Sequence, residues 1–150
     1  MGRADFSGWL AVLAVAGCAA VPGGADAPAP YRVEGNAIRD SLSGAPGDPA
    51  RGRELVLARE FNCLLCHAVP DAEGRAMGNL APPLNGVGAR LSEGQLRLRM
   101  VDSLRLNRDT IMPSYYRTDG LNRVAAAWRG KPILTAQQVE DTVAYLLTLR

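Results

Sequence analysis

The 150-residue chain holds one histidine, three cysteines and two phenylalanines, and its aromatic residues amount to 5%. So few aromatics leave a small core to be built from aliphatic side chains or around a large apolar cofactor. The net charge of +2 gives no argument for nucleic acid as a partner. The longest apolar run, Trp9 to Ala16, falls short of the roughly 20 residues that cross a bilayer. No stretch alternates as a strand does, and no internal repeat is visible. With 16 glycines and 10 prolines, the chain is expected to be one loop-rich domain.

What the chain does have is Cys63-Leu64-Leu65-Cys66-His67. C-x-x-C-H is the attachment pattern of a c-type haem. Two intervening residues let both sulfurs add to the vinyl groups along one edge of the macrocycle. The next residue then falls beneath the iron, so His67 is placed as its first axial ligand. A structural zinc site needs four ligands, and no second Cys/His pair is present. A thioredoxin-like motif needs a βαβ setting, which is also missing. A disulfide across two residues would be strained. With the only histidine committed, neither a Ser-His-Asp nor a Cys-His nucleophile can be assembled.

Residues 1–17 read as an export signal: Arg3 is a thin basic start and an apolar run follows it. Val15-Ala16-Gly17-Cys18 resembles a bacterial lipobox, so Cys18 is the expected lipidation site. The alternative is ordinary cleavage near Ala19 or Ala20, with Cys18 removed. Either route exports the chain and leaves only the haem pair of cysteines. A periplasmic location follows, with membrane contact only through a lipid on Cys18. Residues 18–47 are rich in Ala, Pro, Gly and Ser and read as a flexible tether. The competing reading packs this stretch on the domain through Tyr31, Val33 and Ile38.

The folded domain is expected over residues 48–150. Asp48-Pro49 is a helix start, with Asp at the N-cap and Pro at the first helical position. The helix runs to about Arg59 and delivers the chain to Cys63. A long Gly- and Pro-rich segment, residues 69–89, is expected to wrap a haem edge. Ser92 with Gln95, and Thr135 with Gln138, are capping boxes that start two more helices. The first has Leu96, Met100, Val101 and Leu104 on one face, with Arg97, Arg99 and Arg105 largely off it. The fold class is all-α.

For a sixth iron ligand the methionines are the candidates, beside an open site or one filled by another ligand. Met1 leaves with the signal, Met100 sits on an apolar helix face and Met77 follows His67 by only ten residues. Met112 lies in a loop stiffened by Pro113 and has ample chain to reach the far face of the haem, which favours it. Met77, Met100 and an open site remain as alternatives.

In this order, helix, C-x-x-C-H, proline loop, methionine loop and terminal helix resemble class I cytochromes c. By that resemblance the Pro82 carbonyl accepts from His67, Leu84 touches the haem, and Gly52 and Tyr145 mark a close crossing of the first and last helices. Gly52 stands about a turn further from Cys63 than is common in that family. Four longer runs, Gly78 to Leu84, Leu91 to Arg97, Asp109 to Arg117 and Ala127 to Leu134, are similar to the SoxX family. Its members are the small mono-haem subunits of the SoxAX cytochromes of sulfur-oxidising bacteria. The resemblance implies one covalent haem c, Met112 as the sixth ligand, and a larger haem-bearing SoxA-like subunit as partner in a heterodimer. It also implies a SoxYZ-like carrier reached through that complex, a downstream electron-acceptor cytochrome, and membership of an L-cysteine S-thiosulfotransferase whose chemistry is assigned to the partner's haem.

Three functions follow as alternatives: the electron-transfer subunit of such a complex, a free periplasmic electron carrier, and a haem enzyme or gas sensor with an open iron. Arginines between Arg97 and Arg108 would form either a docking ring or a solvated helix face. Tyr115, Tyr116 and Trp128 would either pack on the haem or line a permanent interface.

Overall fold

The computed structural model describes Met1 and residues 28–150. Cys18, the expected signal peptide beyond Met1 and the first part of the expected tether lie outside the described residues.

The first helix, α1 (Pro49–Leu57), starts where the sequence places it: the Asp48 side chain accepts from the backbone N–H groups of Ala50 and Arg51. Next comes a single turn, α2 (Cys63–Cys66), entered from Asn62 in the left-handed region, which asparagine tolerates better than most residues. After a 3₁₀ turn at Pro70–Ala72, the chain forms a second single turn, α3 (Val87–Arg90). The helices α4 (Glu93–Val101) and α5 (Ala136–Thr148) both open on reciprocal capping boxes, Ser92 with Gln95 and Thr135 with Gln138. No strand forms among the described residues; the only ladder contact is an isolated bridge between Glu34 and Ala37.

The frame of the domain is α1 packed on α5, with α4 against the other side of α5. Gly52 makes the first contact possible. A Cβ built there would lie 1.9 Å from the Asp141 carbonyl oxygen and 2.9 Å from the Tyr145 Cβ, so only glycine lets the two backbones approach this closely. Polar bonds then lock the crossing. Arg51 donates from Nε and Nη2 to the two oxygens of Asp141, at 2.8 and 2.9 Å, and the Asp48 N–H and Gln137 Nε2 also donate to Asp141. Behind this clamp, Val56, Leu96, Val139, Val143 and Leu146 close the apolar interior.

Two expectations change. Over its described part, the stretch expected to be a tether is packed on the domain from Ala29 to Leu42. Ile38 is completely buried, Leu42 is buried, and Tyr31 and Val33 pack on the core. The Ala29 N–H donates to the Tyr116 hydroxyl at 2.6 Å, and the Tyr31 and Tyr116 rings lie 6.3 Å apart. A few apolar side chains at the right spacing outweigh the surrounding Ala, Gly and Pro. Arg97, expected off the apolar face of α4, is buried instead. It reaches Glu140 on α5, and the carbonyl of Ile38 takes a further hydrogen bond from its Nη1 at 2.8 Å. A buried guanidinium is tolerated because each of its nitrogens is engaged.

Candidate haem site

The α2 turn and the segment after it form one hydrogen-bonded unit. Gly78, Ala81 and Leu84 donate their N–H groups to the carbonyls of Leu64, Cys66 and Ala68, at 2.8, 3.0 and 2.8 Å. This lays residues 78–84 directly along residues 64–68. A Cβ at Gly78 would sit 1.8 Å from the Leu65 carbonyl oxygen, so the close approach requires glycine. The Pro82 carbonyl is thereby brought to the His67 ring, and Nδ1 donates to it at 2.7 Å. That bond fixes the tautomer and leaves the Nε2 lone pair free for a metal.

Nε2 serves an apolar cavity of about 560 Å³, within the range of cofactor sites. Cys63, Cys66 and His67 line one part of it, with Pro82 and Leu84. Met112 and Met100 line the same cavity. The thiols are not joined in a disulfide. Among the described residues, no group of three His, Cys, Asp or Glu side chains is arranged to hold a metal ion.

The three candidate methionines are placed differently. Met77 does not line the cavity, and its sulfur accepts from the Val69 N–H at 3.2 Å. Met100 is a buried residue of α4. Met112 is held through its backbone on both sides. Its carbonyl accepts from the buried Ser103 hydroxyl at 2.6 Å, and its N–H donates to Thr110 Oγ1 at 3.2 Å. The loop is also tied down by the Tyr115 N–H, which donates to the Met100 carbonyl at 2.9 Å. Leu65 and Ile111 are exposed at the cavity and Leu84 is partly buried in it.

The roles of Gly78 and Ser103 were not apparent in the sequence, and Tyr115, expected at the haem or at an interface, has a further one. The Tyr115 hydroxyl donates to the Phe61 carbonyl at 2.8 Å and lies 3.9 Å from Cys63 Sγ, so it braces the start of the C-x-x-C-H turn. Burial, followed by the neighbouring Cys63, pushes the Tyr115 phenol well above its ordinary range, and it remains a neutral donor. Tyr115 therefore packs at the cavity. Tyr116 faces the amino-terminal segment instead, and Trp128 is exposed away from the lining.

Two thiols at attachment spacing, an imidazole with one nitrogen anchored, a thioether held in a firm loop and an apolar chamber fit a haem in each chemical respect. An all-α fold around such a site is that of a mono-haem c-type cytochrome, and the chain belongs to the cytochrome c family, which it matches over residues 49–150. Within that family its likeness is to the SoxX type. It is similar to the crystal structure of SoxXA from P. pantotrophus, at 37% sequence identity and a TM-score of 0.73, with 79% of this chain and 93% of that chain covered. No curated protein matches the chain. Its cofactor is one covalent haem c, and its activity is electron transfer.

Proposed function

We propose that this chain is the electron-transfer subunit of a SoxAX-like complex in thiosulfate oxidation. The observation that carries the reading is the likeness to SoxXA at 37% identity over nearly the whole of that chain. In this reading a larger, haem-bearing SoxA-like subunit is its heterodimer partner. Electrons released when thiosulfate is joined to a cysteine of a SoxYZ-like carrier pass through this chain to a downstream cytochrome. No catalytic nucleophile of its own is expected, since its one histidine is bonded to Pro82 and lines the cavity. It would act in the periplasm, held at the membrane by lipid on Cys18.

When bound, the haem supplies a one-electron Fe(III)/Fe(II) couple. Cys63 and Cys66 would hold it through thioether bonds, and His67 and Met112 would bind its iron. The Pro82 carbonyl keeps the His67 ring from rotating, and Ser103 and Thr110 keep the Met112 loop from moving. With both ligands held by the protein, little rearrangement would accompany electron transfer. Leu84, Leu96 and Leu146 line the cavity with apolar surface, and such a setting together with thioether ligation would raise the potential.

The test is to isolate the tagged protein from thiosulfate-grown cells and stain a denaturing gel for covalent haem. A second, larger haem-stained band in constant proportion supports the complex. A single stained band at the size of this chain makes it a free periplasmic carrier instead.

A further inference from the structure

Arg99 carries an inference about how the cofactor itself is held. The residue stands on α4 and lines the haem cavity with His67 and Met112. Its side chain makes one hydrogen bond to protein, from Nη1 to the Gln95 carbonyl at 3.1 Å. No carboxylate lies within 4.0 Å of it among the described residues. Arg97, two positions earlier on α4, by contrast pairs with Glu140 and Glu93. Arg90 lies outside the cavity lining and is occupied by the carbonyls of Asn85 and Pro83.

Arg99 is also partly withdrawn from water. Burial lowers its pKa from the usual guanidinium value, and no acidic neighbour offsets that effect. Asp109 lines the same cavity without approaching within ion-pair distance. A partly desolvated cation without a counter-charge is costly, and a guanidinium is shaped to take a carboxylate in two parallel hydrogen bonds. The ligand of this cavity brings carboxylates with it, because a haem c carries two propionates.

We propose that Arg99 is the counter-ion of a haem propionate and, through that contact, a positioning residue that raises the reduction potential. The effect has a definite sign. The oxidised haem carries one more positive charge than the reduced haem. A nearby guanidinium disfavours that extra charge directly. It also neutralises a carboxylate that would otherwise stabilise the oxidised form. Both effects raise the potential. The inference rests on the haem reading of the cavity but not on the identity of any protein partner.

The experiment compares purified, haem-loaded wild type, Arg99→Gln and Arg99→Lys at one pH and ionic strength. Covalent haem content is read by pyridine haemochrome and the midpoint potential by spectroelectrochemical titration. Arg99→Gln is expected to retain its haem and titrate at a lower potential, with Arg99→Lys restoring most of the difference. An Arg99→Gln potential equal to wild type overturns the proposal, and so does a drop that lysine does not restore. Redox-difference infrared spectra of Arg99→Lys provide a readout should the glutamine variant not assemble. The propionate carboxylate bands shift if Arg99 contacts them, and unchanged bands overturn the contact. Absence of covalent haem from the wild type would instead sink the haem reading itself.

Discussion

Arg97 and Glu140 meet in the protein interior, Nη2 to Oε2 at 2.7 Å and Nε to Oε1 at 2.9 Å, with 1% and 3% of their side chains exposed. Each partner also holds the amino-terminal segment. Arg97 donates to the Ile38 carbonyl, and Glu140 accepts from the Leu42 N–H at 2.8 Å. Glu93 covers the remaining side of the guanidinium.

Removing one partner leaves the other charge buried and unpaired. Glu140→Ala is expected to cost about 3–5 kcal/mol, read as a lower urea midpoint at an unchanged slope. The double replacement Arg97→Met with Glu140→Leu should be markedly less destabilising than the single change, since no lone charge remains. Equal losses in the two proteins would refute a paired role.

At the helix crossing, Gly52→Ala adds a carbon 1.9 Å from the Asp141 carbonyl oxygen, and the obstacle is backbone rather than a movable side chain. The loss should reach at least about 3 kcal/mol, the upper part of the range for overpacking. Thermal unfolding of the haem-loaded protein checks it. A change below about 1 kcal/mol would show that α1 can slide away from α5 at little cost.

Met112→Ala is expected to leave the haem covalently attached and His67-ligated but high-spin. The reduced protein should then bind carbon monoxide readily. Met100→Leu, a volume-conserving change at the same cavity, should leave the spectrum unaltered. A low-spin Met112→Ala protein, or a high-spin Met100→Leu one, would move the sixth ligand to another residue.

The acid limb of stability should depend on Asp141. Burial raises its pKa, but hydrogen bonds from Arg51, the Asp48 N–H and Gln137 outweigh that and hold the carboxyl below its ordinary value. A depressed folded-state pKa gives stability that is fully present above the unfolded value of about 4. It is lost as pH falls through the folded value. Urea midpoints from pH 7 down to pH 3 should fall more steeply for wild type than for Asp141→Asn. Parallel curves would place the acid sensitivity elsewhere.

Local signals were readable in the sequence because the chemistry behind them is local. Asp48-Pro49, Ser92 with Gln95, and Thr135 with Gln138 each act within one helical turn, and all three start the helices expected of them. The C-x-x-C-H run was legible for a similar reason, its spacing being that of haem attachment, whereas the Pro82 carbonyl contact to His67 was expected from the resemblance to class I cytochromes c. The rest depends on partners distant along the chain. Arg97 looks like a surface residue until Glu140, 43 positions later, is brought beside it. The Ala- and Pro-rich stretch looks loose by average composition, although the burial of Ile38 and Leu42 fixes it. Gly78, Ser103 and Tyr115 act through carbonyls of other segments, and no residue pattern announces such contacts.

The packed amino-terminal segment separates two boundaries usually taken as one. The match to the cytochrome c family model begins at residue 49, yet the interior extends back at least to Ile38, whose side chain is completely buried. A chain begun at residue 48 would keep both haem-attachment cysteines and both candidate axial ligands. It would also open the pocket that Ile38 fills and strip hydrogen-bond partners from Arg97 and Glu140. The packed unit is therefore longer than the segment that the family model matches. Ala29 itself lies beside Tyr116, four positions from Met112 in the chain, rather than at the start of α1.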